Sequence, residues 1–234
     1  MLYSPRSRST WTHDVLIKKF NLDPSWCEPL LESRRPRQDY EEYPDIIDRI
    51  NHAENCCIKI SCNDWIDIKN KKLRDDYKII DWNRFDHVIT HTREDYVSAI
   101  LSYAYMDMRD KNSWHRRQGE IKQGHSYHAD INIMYYLLRG YAMFDLVKKH
   151  IVDTVDSNKI HHYEFYTAEY QVSKDFELQG DDLVAEIVSN ELDYSKLATN
   201  YNEIVSEAPK AFELLTQQIH NPTESFWQNR NTIL

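Results

Sequence analysis

Long apolar runs are missing from this sequence. No stretch approaches the roughly 18 consecutive apolar residues that a membrane span needs, and no signal peptide is visible at the N-terminus. Glycine is scarce, at four of 234 residues, and the Walker pattern GxxxxGK followed by Ser or Thr is absent, which argues against an ordinary ATP or GTP site. The four cysteines, Cys27, Cys56, Cys57 and Cys62, lack zinc-type spacing. Cys56 and Cys57 sit in an apolar run, where adjacent thiols read as buried rather than disulfide-bonded. A reducing, cytoplasmic setting is the expectation. There is no low-complexity tract, no repeat period and no convincing linker, so a single domain is expected over residues 1–234.

What is present is a globular composition, 41% hydrophobic, with ample material for a core. The net charge of −9 argues against a general nucleic-acid binder. That charge is uneven: residues 1–37 carry a net +3 and the remainder −12. A positive start on an acidic chain points to a local anion site rather than a basic face.

Along the chain, Met1 to Tyr3 reads as a short strand. Trp11, Val15, Leu16 and Phe20 then mark one face of a helix ending near Asn21. A loop with three prolines follows, a helix is expected over 38–52, and CCIKIS (Cys56 to Ser61) reads as a buried strand. FDHVITHT (Phe85 to Thr92) is another strand candidate, and Val97, Ile100, Leu101, Ala104 and Met108 form a helical stripe. Asp110 to His128, with Gly119 and Gly124, is expected to be an exposed, mobile loop over an acceptor site. A long apolar helix is expected over about 130–152, a β-rich run within Lys159 to Tyr170, and helices over 181–190 and 203–219. Strands alternating with helices predict an α/β three-layer sandwich with a mainly parallel sheet. In such a sheet, ligands bind at the strand-to-helix turns of the carboxyl edge.

The turn after the first strand is SPRSRSTW, Ser4 to Trp11. A helix N-terminus presents unpaired N–H groups and about half a positive charge, and phosphate or sulfate suits it. Ser7, Ser9 and Thr10 add hydroxyls, and Arg6 and Arg8 add full charges. The plainer account is a serine-capped helix with solvated arginines. PRSRSTW resembles the 5′-phosphosulfate loop of the sulfotransferases that use 3′-phosphoadenosine 5′-phosphosulfate (PAPS). Pro5, Arg6, Ser7, Ser9, Thr10 and Trp11 match that family's pattern, while Arg8 stands where glycine is usual. If the position needs positive φ, Arg8 is strained; otherwise it adds a second cation.

The family's second signature is a strand ending in Arg, then a helix carrying Ser eight or nine residues on, which together hold the 3′-phosphate. HVITHTREDYVSAILSY (His87 to Tyr103) resembles it, with Arg93 closing the strand and Ser102 nine residues later. Ser98, one turn earlier on the same face, is the alternative ligand. The resemblance covers about 1–35 and 85–105 and lies nearer the bacterial, carbohydrate-type branches. It implies a P-loop NTPase-like sulfotransferase fold, PAPS as co-substrate and no metal. The acceptor it implies is a hydroxyl or amine of a carbohydrate or small metabolite, with no nucleic-acid or membrane partner.

By the same resemblance, Arg6 acts on the phosphosulfate, Ser7, Ser9 and Thr10 hold the 5′-phosphate, and Trp11 lies against adenine unless it is simply core. Glu28, in CEPLLE, stands where relatives carry a catalytic base, with Glu32 as a rival. His13 and His91 are outside candidates. HSYHAD (His125 to Asp130) has metal-like spacing, but histidines in a polar loop are usually solvated, and no metal site is assigned. Arg34, Arg35 and Arg37 read as a solvated loop. Arg109, Lys111, Arg116, Arg117 and Lys122 are lid candidates. The rival readings are a non-catalytic nucleotide- or partner-binding protein on the same fold, and a degenerate P-loop kinase.

Overall fold

The computed structural model describes the chain except residues 5–6, 8, 31–42, 68–69, 110–115, 118–125, 184–186, 189–192 and 228–234. In chain order, β1 (Leu2–Tyr3) leads into α1 (Ser9–Phe20), then α2 (Tyr43–His52) and β2 (Ile60–Ser61). A small antiparallel pair, β3 (Ile66–Asp67) and β4 (Lys72–Leu73), precedes β5 (Val88–Thr92) and α3 (Tyr96–Arg109). Next come β6 (Arg116–Arg117), α4 (Ile131–Thr154), β7 (Ile160–Glu164) and α5 (Ala168–Asp175). The chain continues through β8 (Ile187–Val188), α6 (Tyr194–Leu197), α7 (Tyr201–Gln218) and α8 (Glu224–Trp227).

The protein is α/β, built on a four-stranded sheet in the order β2-β1-β5-β7, with every pair parallel. Register places Leu2 opposite Ile60 on one side and Thr90 on the other, and Val88 opposite Ile160. Side chains alternate across a strand, so neighbours serve opposite faces. Leu2, Ile60 and Val88 join the larger core with Leu101 of α3, Leu137 of α4 and Ile204 of α7. Met1, Ile89 and Tyr163 join a second core with Val15 and Leu16 of α1 and Ala168 and Val172 of α5. Helices therefore cover the sheet from both sides, as parallel sheets require.

The periodic helices form where expected. α4 is started by Asp130, whose Oδ1 accepts the Asn132 N–H at 2.8 Å, and its residues 137–144 are all buried, as its near-continuous apolar stretch demands. Three expectations need correction. The strand read over Cys56 to Ser61 is paired as a strand only at Ile60–Ser61; Cys56 and Lys59 make isolated bridges to Asp23 and Cys27. The helix expected over 181–190 is a 3₁₀ turn at Gly180–Leu183 followed by β8, because β-branched Ile187 and Val188 find a partner in Arg117 and Arg116. The loop expected over 110–128 accordingly contains a strand, and its Tyr127 is buried with its hydroxyl on the Leu101 carbonyl. All four cysteines are free, and burial pushes the Cys57 thiol up to about 11. Among the described residues no helix is long and apolar enough to cross a membrane.

Candidate functional site

β1 and β5 are parallel neighbours, so the turns that follow them open side by side on the carboxyl edge. The Ser4 N–H donates to the His91 carbonyl at 2.9 Å, two residues before Arg93. Pro5, Arg6 and Arg8 lie outside the described residues, as do Glu32, Arg34, Arg35, Arg37, Lys111, Lys122 and His125. Ser7 and Ser9 are buried and Thr10 is half-buried. Trp11 packs, half-buried, against the Val15 and Ile89 core, as the packing account of it requires.

Several polar atoms around this turn are buried without a hydrogen-bond partner among the described residues: Ser4 Oγ, Ser7 Oγ, Thr12 Oγ1 and both ring nitrogens of His91. Each such orphan costs about 1–3 kcal/mol, so a cluster of them is a place where a ligand or water is wanted. Burial drives His91 down to about 3; a nearby Ser7 backbone group opposes the shift without the geometry of a full hydrogen bond. The imidazole is therefore neutral near pH 7 and contributes no charge to an anion.

Beneath the turn sits a cation that sequence reasoning missed. Lys59 is 2% exposed, and its ammonium donates to Thr10 Oγ1 at 2.8 Å and meets Glu28 Oε1 at 3.1 Å. It also lies 4.7 Å from the centre of the Tyr3 ring. An ammonium only donates, so Thr10 must accept from it, which leaves the Thr10 proton to point elsewhere. Glu28 accepts the Tyr3 hydroxyl as well. Burial, reinforced by the Glu28 charge, holds the Tyr3 phenol well above its ordinary range, so it stays a donor. Glu28 reaches inward because its backbone is left-handed, φ 55°, with its N–H on the Lys59 carbonyl at 2.8 Å. That conformation is costly for a residue with a Cβ, and the surrounding contacts must hold it. The available signal was a lone lysine inside an apolar strand, which must find a partner when buried.

At the second turn, Arg93 is 3% exposed, with its guanidinium carbon 4.1 Å from the Phe165 ring centre. Its Nη2 donates to the Tyr166 hydroxyl at 3.4 Å. Asp95 caps α3, its Oδ1 accepting the Ser98 N–H at 3.0 Å. Burial alone would raise the Asp95 carboxyl, but hydrogen bonds from Ser98 and the Arg93 charge bring it below its usual value. Ser98 is half-buried and adjoins this cluster. Ser102 is 3% exposed and accepts the Tyr194 hydroxyl at 3.2 Å, within the packing of α3 against α6.

His13 points its Nε2 at the Cys57 carbonyl, 2.8 Å away. His128 is exposed, and no cluster of metal-ligating residues occurs among those described. Arg116 and Arg117 form β6, and of their side chains and that of Arg109 nothing is described. A cavity of about 790 Å³, lined by Ile50, Ile58, Trp82, Phe85 and Val88 among others, opens at the opposite, amino edge of the sheet, and none of the candidate residues lines it. Compared with protein-family models, curated proteins and solved structures, the chain gives no significant match.

Proposed function

We propose that this chain is a PAPS-dependent sulfotransferase of P-loop-like sulfotransferase fold, moving a sulfuryl group to a hydroxyl or amine of a carbohydrate or small metabolite. The observation that carries the reading is the adjacency of its two turns. Motifs more than 80 residues apart in sequence open next to each other on one sheet edge, with orphaned hydroxyls at the first and a buried arginine at the second. In this reading Ser7, Ser9, Thr10 and the N-terminus of α1 hold the 5′-phosphate, Arg6 neutralises charge on the bridging oxygen, and Arg93 with Ser98 or Ser102 takes the 3′-phosphate. Ser98, half-buried beside Asp95, is better placed than Ser102, which is 3% exposed within the packing of α3 against α6.

Sulfuryl transfer then needs little covalent work from the protein. The acceptor oxygen or nitrogen attacks sulfur, its proton passes to Glu28, and the bond from sulfur to the 5′-phosphate oxygen breaks to release adenosine 3′,5′-bisphosphate. Positioning and electrostatics dominate, as in phosphoryl transfer. One observation favours a second reading, a nucleotide-binding protein without transfer. Glu28 is already engaged by Lys59 and Tyr3, and two such donors make a carboxylate a weaker base.

Thermal unfolding with adenosine 3′,5′-bisphosphate, ATP and AMP tests the site. At about 100 times its dissociation constant a ligand adds about 2.7 kcal/mol, which raises the midpoint by roughly 5–10 °C at this size. The expected result is a shift with the bisphosphate alone, abolished by Arg93→Ala. A shift with ATP alone would favour a kinase, and no shift would sink the nucleotide reading. Binding without release of bisphosphate from PAPS, across a panel of hydroxyl and amine acceptors, would favour the second reading.

A further inference from the structure

The turn between β7 and α5 has no place in the assignments above, yet it stands against Arg93. β7 lies beside β5, and the Phe165 N–H continues their pairing by donating to the Thr92 carbonyl at 2.9 Å. Glu164 Oε2 accepts the Tyr166 N–H at 2.7 Å, which fixes the turn. The phenol of Tyr166 is thereby brought to Arg93 and Asp95. It accepts from Arg93 Nη2 at 3.4 Å and donates to Asp95 Oδ2 at 3.3 Å.

Both contacts are slack. A hydroxyl donating to an ionised carboxylate normally closes to about 2.5–2.7 Å, and an N–H to oxygen contact to about 2.9–3.0 Å. Tyr166 is also 56% exposed, so its hydroxyl is open to an incoming group, and its ring centre is 5.7 Å from the Arg93 guanidinium carbon. A donor is thus held at the mouth of the second turn without a good acceptor. Asp95 places a negative charge on the same side, so an incoming dianion needs donors beyond one guanidinium. If the phenol turned to the anion, Asp95 would keep its Ser98 N–H at 3.0 Å and lose only the long contact.

We infer that Tyr166 is a ligand of the 3′-phosphate beside Arg93, and that its hydroxyl makes the site prefer a nucleotide phosphorylated at the 3′ position over one that is not. The inference rests on the PAPS reading of the two turns and adds a third segment to it. The sequence gives no motif for this role, because Tyr166 reaches Arg93 only through the pairing of two strands about 70 residues apart.

The test is calorimetric binding of adenosine 3′,5′-bisphosphate and of AMP to the wild-type chain and to Tyr166→Phe, which keeps the ring and removes only the hydroxyl. A hydrogen bond to a charged group should be worth about tenfold in affinity. The expected result is bisphosphate binding weakened about tenfold, with AMP binding unchanged and the thermal midpoint of the free protein preserved. A wild-type preference for bisphosphate that survives in the variant overturns the inference and leaves the PAPS reading standing. Equal weakening of both ligands overturns it too, because Tyr166 would then only shape the turn. A wild-type chain that binds the two alike overturns the 3′-phosphate reading and this inference together.

Discussion

Lys59 carries a charge into a site where its side chain is 3% exposed, and its partner Glu28 is nearly as enclosed at 12%. Removing one member of such a pair leaves the other charged and desolvated, which typically costs about 3–5 kcal/mol. Lys59→Met should therefore destabilise the protein by about that amount in urea unfolding, and adding Glu28→Gln should recover more than half of the loss. A cost below about 1 kcal/mol for the single variant would mean that the pair is solvated after all. The same substitution bears on the site, because the ammonium fixes which way the Thr10 hydroxyl can donate. The first turn is thus a braced structure: Lys59 and Tyr3 hold Glu28 from below, while the Ser4 and Ser7 hydroxyls above have no partner among the described residues.

At the scale of elements, α4 shows how closely the larger core is fitted. Gly140 lies where an added Cβ would fall 2.0 Å from Asn63 Oδ1 and 2.9 Å from its Cγ, in the 3₁₀ turn Cys62–Trp65 that packs against this helix. Gly140→Ala gains about 1 kcal/mol of helix propensity and loses more to the clash, so a net destabilisation of about 1–2 kcal/mol is expected. Relief of that loss by Asn63→Ala, measured as a double-mutant cycle, identifies the clash as its cause; a stabilised Gly140→Ala would show that the side chain simply moves aside. Elements with a strong period were legible in the sequence: α1, α3, α4 and α7 appear within a few residues of their expected spans. Among the short strands β1 was legible at Met1 to Tyr3, but the extent of β2 and the presence of β8 were not, because Ile60 and Ser61 are a strand only by virtue of β1 beside them, and Ile187 and Val188 by virtue of β6. The proposed site divides the same way. Ser7, Ser9, Thr10, Arg93 and Ser98 belong to turns whose chemistry is local, whereas Lys59 and Tyr166 enter through tertiary neighbours that no spacing encodes.

For the whole molecule, burial of histidine sets the response to acid. His87, His91, His150 and His162 all have lowered pKa values, each chiefly through burial. His91, fully enclosed and lowered to about 3 from 6.5, dominates. Below pH 6.5 the unfolded chain binds a proton at this residue that the folded chain refuses until about pH 3, so unfolding takes up protons and stability rises with pH across that window. One proton corresponds to about 1.4 kcal/mol per pH unit, so His91 alone should remove about 2 kcal/mol between pH 6.5 and 5. Carboxylates such as Asp95, whose pKa is lowered, lose their contribution only at more acid pH, below their ordinary range. The two effects are therefore separable. Urea unfolding from pH 7.5 to 5.0 should show stability falling as the pH drops, and His91→Gln should flatten that slope by close to one proton whatever it does to stability at pH 7.5. An unchanged slope in the variant would mean that His91 is protonated in the folded state, and a cation would then sit directly beneath the turn that the proposed ligand occupies.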